Sequence, residues 1–294
     1  MLYRAVLLFL EVLRWLPSRA RALLGRMAGW AAHSLVSRRR EIVMRNLELC
    51  FPRLDADARR QFARENFRAA GVSFLDFLWL IATRMKEGRS FIRLEGGQYL
   101  KQLGDGPVIF LAPHFFGMIS GFLRIRLERE AAVFMKEPHS PLSRKFLRDS
   151  AQRLQVVYFS NRDPFSRVLR WLKEGNSLYY LPDVNAPPGG GTVFAPLLGV
   201  EEAATMTSLS RLARATGALV LPCVTYMREE GGYTLHLHPP WRDFPTGDDL
   251  ADARRMNRFL EESIKQAPSE YFWLHRRFKT RPPGAPPLYG PKGC

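Results

Sequence analysis

The chain has 294 residues, 46% of them hydrophobic, and carries 44 Lys and Arg against 28 Asp and Glu, a formal net charge of +16. That apolar content supports a real core in one large domain or two small ones, and the basic balance favours anionic partners: nucleic acid, acidic lipid surfaces, phosphorylated ligands or an acidic protein. Cys50, Cys223 and Cys294 are too few and too scattered for a disulfide framework or a zinc cluster, which suits a reducing, cytosol-facing compartment.

The first helix-like stretch has an apolar core from Ala5 to Leu10, broken by Glu11 and Arg14. It falls short of the roughly 20 apolar residues that a transmembrane helix needs, and it lacks a clear small-residue cleavage site. Leu7, Leu8, Leu10, Val12, Leu13 and Trp15, followed by Arg14, Arg19, Arg21 and Arg26, predict a helix lying on a membrane surface. An ordinary packed helix and a single-pass span are the alternatives.

Residues 36–90 read as helical, with an Asp-rich cap signal after Pro52. From Val108 the texture becomes alternating: VIFLAP, AAVFM, LQVVYF, SLYYLP and ALVLPCVTYM read as strands, and YTLHLHPP as a further one. Residues 142–153, 164–175 and 203–216 carry helical spacing between them. This alternation predicts an α/β fold, an αβα sandwich around a mostly parallel sheet, with amino-terminal membrane-facing helices. The expected organisation is a membrane-associating helical region at 1–90, an α/β domain at 91–284 and a flexible Pro/Gly-rich tail at 285–294.

His114 follows the strand VIFLAP and precedes Gly117, where an α/β enzyme places a catalytic base; a core histidine is the plain alternative. Asp183 closes the strand-like run SLYYLPDVN and falls on the same rim, either in the site or capping the Pro/Gly loop after it. TVFAPLLGV, which includes Phe194, lines a pocket for an apolar substrate or simply fills core. YFWLHRRFKTRPPG, residues 271–284, interleaves aromatic and cationic groups able to clamp a phosphate. His236 and His238 alternate without a third ligand, so no metal site is expected. No Gly-rich nucleotide loop, zinc-finger spacing, RNP-like motif or basic zipper occurs, so neither a nucleotide cofactor nor nucleic acid is expected.

Together, APHFFGMIS, YYLPDVN, TVFAPLLGV, AATMTSLSRLARATGA and above all YFWLHRRFKTRPPG resemble the bacterial lipid A acyltransferase family. The resemblance covers nearly the whole chain, to about Tyr289. It implies transfer of a fatty acyl chain from acyl carrier protein to a hydroxyl of a membrane glycolipid of the lipid A precursor type. It places the chain at the cytoplasmic face of the inner membrane, peripheral or single-pass, without metal or dissociable cofactor. His114 corresponds to the family's general base. The family's acid, five residues on, is replaced here by Ile119, and Asp183 is the candidate to support the histidine instead. Arg153, Phe194, Arg276, Arg277, Lys279 and Arg281 are the expected substrate-binding residues. Further departures are Val184 and Asn185, in the second half of a Pro-Asp-Gln-Asp motif, and Ser150 and Ala151, where a Gly-Arg pair is common. The alternative reading is a catalytically impaired paralogue that acts as a lipid-binding or regulatory protein.

Overall fold

In the computed structural model, which describes residues 2–85, 88–160 and 162–290, helices fill the first part of the chain. They are α1 (Leu2–Arg14), α2 (Ser18–Leu35), α3 (Ser37–Cys50) and α4 (Ala56–Thr83). The expected cap is Asp55, whose carboxylate accepts from the Ala58 amide at the start of α4. There follow α5 (Gly88–Phe91), β1 (Ile92–Glu95), α6 (Gln98–Lys101), β2 (Val108–Leu111), α7 (Met118–Arg126), β3 (Ala131–Met135), α8 (Pro141–Arg153) and β4 (Val157–Ser160). The chain continues through α9 (Phe165–Lys173), β5 (Ser177–Tyr180), β6 (Thr192–Leu197), β7 (Val200–Met206), α10 (Ser208–Thr216), β8 (Leu219–Met227), β9 (Tyr233–Leu237) and α11 (Asp249–Gln266).

Seven strands form one sheet in the order β1-β9-β8-β2-β5-β3-β4, and β8–β9 is its one antiparallel pair. The central strands β2 and β5 are buried at every position, as a parallel sheet covered on both faces requires. Side chains alternate between the faces. Ile109, Leu111 and Leu178 meet Leu47 of α3, Leu172 of α9 and Leu260 of α11. Val108, Phe110 and Tyr179 meet Leu10 and Leu13 of α1, Leu78 of α4 and Phe122 of α7. The layers are therefore helix, sheet, helix.

Three sequence-based assignments need correcting. Ile92–Glu95 forms an unexpected edge strand. Residues 203–206 belong to β7, not to a helix: TVFAPLLGV and the residues after it make an antiparallel two-stranded ribbon, β6–β7. Leu154–Val156 lie outside β4 because α8 runs through Arg153 and its cap follows.

Helix α2 lies against α4 through glycines. A Cβ at Gly71 would sit 2.1 Å from the Gly25 carbonyl oxygen, and one at Gly29 would sit 2.2 Å from that of Phe67. Arg21, expected on the surface, is instead buried in this seam. Its Nε donates to Asp76 Oδ1 at 3.2 Å and its guanidinium lies 4.0 Å from the Trp79 ring centre. Leu8, Val12 and Trp15 of the first hairpin, and Leu23, Met27 and Trp30 of α2, remain exposed; Trp15 is 79% and Trp30 60% accessible. No helix among the described residues is long and apolar enough to cross a membrane. The tail forms no regular element up to Gly290, yet Tyr289 is buried and its hydroxyl bonds to Asn46 and the Phe278 amide.

Candidate active site

The register of the sheet sets the site. Leu111 of β2 stands opposite Tyr180 of β5 in a parallel pair, and His114 and Asp183 each lie three residues further on. Equal offsets from paired positions bring the two side by side at the carboxyl rim. Asp183 holds His114 at two points: Oδ2 accepts from the His114 backbone amide at 2.8 Å, and Oδ1 meets the ring Nδ1 at 2.6 Å. The carboxylate is completely buried, whereas the imidazole is 17% exposed. Burial alone would raise the Asp183 pKa, but the adjacent His114 charge and both hydrogen bonds outweigh it and hold the group at about 2. Asp183 is thus an ionised acceptor that fixes the proton on Nδ1. Nε2 has no protein partner among the described residues.

The carboxyl-terminal signature closes over this pair. Phe115 bridges to Tyr271, and the Phe272 amide donates to the His114 carbonyl at 2.8 Å. Two buried asparagines hold the segment in place. Asn66 of α4 donates to the Ser269 and Tyr271 carbonyls, and Asn46 of α3 to those of Trp273 and His275. His275, which the sequence reading did not single out, sits with Nε2 3.2 Å from the Asp183 carbonyl and Nδ1 3.1 Å from that of Phe272. Burial, reinforced by the nearby His114, pushes its pKa down to about 4, so it is neutral near pH 7. The available signal was its place in the Trp-x-His-x-Arg spacing of residues 273–277.

His114 lines an apolar cavity of about 210 Å³ that runs down the face of the sheet. Met118, Ile119, Phe122 and Leu123 of α7 form one wall, and Leu147, Ser150, Ala151 and Leu154 along α8 form another. Ile119 is therefore a lining residue of the apolar cavity, and its side chain has no polar group to bond the imidazole. The other expected site residues lie elsewhere. Arg277 is buried beneath the site and donates to the Ala204 carbonyl at 2.6 Å. Arg281 donates to the Glu202 carbonyl, Lys279 is exposed, and Arg276 stands over the Tyr289 ring. Phe194 is half-buried in the β6–β7 ribbon and does not line the His114 cavity. Arg153 faces a second cavity on the far side of the α8 lining. Asn185 braces the signature by accepting from the Thr280 amide at 2.8 Å. Among the described residues no group of three His, Cys, Asp or Glu side chains could hold a metal.

Comparison with known proteins finds relatives over nearly the whole chain. The family described as "Bacterial lipid A biosynthesis acyltransferase" matches residues 1–280. A lipid A biosynthesis lauroyltransferase of Escherichia coli K12 is 32% identical over 270 residues, covering 90% of this chain and 87% of the relative. The palmitoleoyltransferase of the same strain is 31% identical, covering 93% and 90%. Its myristoyltransferase is 27% identical, covering 90% and 81%.

Proposed function

The chain belongs to the bacterial lipid A biosynthesis acyltransferase family, and from that premise we propose that it moves a fatty acyl chain from an acyl carrier protein thioester to a hydroxyl of a lipid A-type glycolipid, with His114 as base and Asp183 as its orienting acid. The observation that carries this reading is the clamp of the Asp183 carboxylate on both the amide and the Nδ1 of His114.

The chemistry follows from the placement of the proton. With Nδ1–H directed at Asp183, Nε2 carries the lone pair and takes the acceptor hydroxyl proton as its oxygen attacks the thioester carbonyl. Asp183 stabilises the resulting imidazolium without taking the proton itself. Collapse of the tetrahedral intermediate breaks the carbon–sulfur bond, and the imidazolium returns its proton to the departing thiolate. The apolar cavity beside His114 receives the acyl chain. The reading of an impaired paralogue rests on Ile119, and in this proposal Asp183, just past β5, supplies the charge that residue 119 lacks.

The exposed apolar residues support a peripheral attachment. Leu8, Val12 and Trp15 recur at one helical face, as do Leu23, Met27 and Trp30, and Arg19 and Arg26 lie beside the second set. A bilayer surface rich in anionic lipid matches both the apolar faces and the arginines.

The test is a mass-spectrometric transfer assay with mixed acyl carrier protein thioesters and a tetra-acylated lipid A precursor. Wild type should add one acyl chain and His114→Ala none. Product formation at an equal rate in His114→Ala would overturn the assignment.

A further inference from the structure

The His114 cavity has a direction and an end. His114, Leu181 and Lys136 follow the carboxyl ends of β2, β5 and β3, so they mark the rim; Val156 precedes β4 and marks the opposite edge of the sheet. Helix α7 runs back along the same path. Met118 to Leu123 covers about 7.5 Å at 1.5 Å per residue. Leu147, Ser150, Ala151 and Leu154 recur on a single face of α8, and the small side chains at 150 and 151 leave the middle of the shaft open.

At the lower end a second cavity, of about 540 Å³, lies back to back with the first. Leu123 and Leu154 line both. The second cavity is of opposite character: its lining includes Arg84, Arg126 and Arg153 and no acid. Arg126 is paired with Glu130 and donates to the Gln155 carbonyl, yet its buried Nε has no hydrogen-bond partner. Two leucines thus separate an apolar shaft from a cationic chamber.

We infer that Leu123 and Leu154 are the floor against which the acyl chain ends, and that they set its length. This rests on the proposed acyl-transfer reading, because it assigns the shaft to the acyl chain. The floor acts in two ways. It blocks the terminal methyl sterically, and beyond it a longer chain would meet guanidinium groups that lose hydration beside hydrocarbon. Ala151 is the complementary position: a larger side chain there fills the shaft above the floor.

The experiment measures binding of saturated fatty acids of graded length, below their micelle concentrations, by displacement of a fluorescent fatty acid, alongside the donor profile in the transfer assay. Each methylene that enters the shaft should raise affinity about fourfold, up to a break where the floor is reached. Leu154→Ala and Leu123→Ala should move the break outward by about two to three methylenes, and Ala151→Leu should move it inward. The alanine variants should also gain affinity for long α,ω-dicarboxylic acids, whose far carboxylate reaches Arg126 and Arg153. Such a gain does not arise from misfolding. A break unchanged in all three variants, without any gain for dicarboxylic acids, would overturn the inference. Transfer that persists with an unmoved break removes the floor and keeps the chemistry. A break that moves as stated in a protein without transfer keeps the floor and removes the chemistry.

Discussion

The rim and the shaft of the cavity are built on opposite principles. The rim is polar and joins distant parts of the chain: His114, Asp183 and His275 meet only because β2 and β5 are in register and Asn46 and Asn66 hold the last segment over them. The shaft is apolar and made of short-range periodicities, chiefly single faces of α7 and α8. The difference shows where charge is tolerated. A carboxylate works at 183, where it is buried but receives two hydrogen bonds from His114. At 119 the same group would stand half-buried on the wall of a largely apolar cavity, without the two hydrogen bonds that Asp183 receives.

The largest effect expected is at the rim. His114→Ala should lower the transfer rate by at least about 10²-fold, the lower end of what general acid–base assistance contributes, and should also lower the unfolding temperature, because the buried Asp183 carboxylate loses its imidazole partner. Circular dichroism and the transfer assay check this together.

Ile119→Asp tests the contrast directly. Restoring the family's acid should not raise the rate, because the imidazole Nδ1 is already engaged by Asp183. It should destabilise the protein by no more than about 1 kcal/mol, because residue 119 is only half-buried and a carboxylate there keeps part of its hydration, read by chemical denaturation. A marked rise in rate would show that position 119 still addresses the imidazole.

His275, whose Nε2 lies 3.2 Å from the Asp183 carbonyl, is in the proposed mechanism a positioning residue that acts through Asp183. His275→Gln should lower kcat about tenfold with KM unchanged, as expected when a transition-state arrangement loosens. It also carries a pH signature. The folded-state pKa of about 4 lies below the unfolded value near 6.5. Below pH 6.5 the unfolded chain therefore binds a proton that the folded one refuses. Stability falls as pH drops from about 6.5 to about 4, by an amount on the order of 3 kcal/mol. His275→Gln should remove that part of the acid sensitivity in pH-dependent denaturation curves.

The smallest effect is expected away from the cavity. Trp15→Ser with Trp30→Ser should weaken binding to vesicles containing anionic lipid several-fold and leave transfer to detergent-solubilised acceptor intact. Sedimentation with vesicles gives the first value and the transfer assay the second.

How much of this the sequence reveals follows the same division. Periodicity places the parallel strands and most helices, because each element buries its own face. It also puts His114 and Asp183 on one rim. It cannot give their distance, which depends on the offset between β2 and β5, nor reveal that Asp183 is hydrogen-bonded to both the amide and the ring of His114. The ribbon β6–β7 escapes the same reading: Ala203 and Ala204 suit a helix as well as a strand, and only pairing with Phe194 and Ala195 decides. Arg21 reads as a membrane-surface cation and Arg277 as a substrate-binding one because nothing local signals Asp76 or the Ala204 carbonyl, contacts that span 55 and 73 residues. His275 lay within a quoted signature, but its role depends on a carbonyl 92 residues away.

The measurement that tests the central claim most directly is the transfer rate of Asp183→Asn, taken with its fatty-acid affinity as a control for folding. An asparagine keeps the shape but cannot hold the ionised pair with His114. The account predicts a rate lower by about 10²- to 10⁴-fold with fatty-acid affinity unchanged. A rate within about twofold of wild type would contradict it, because the orienting acid would then have to lie elsewhere.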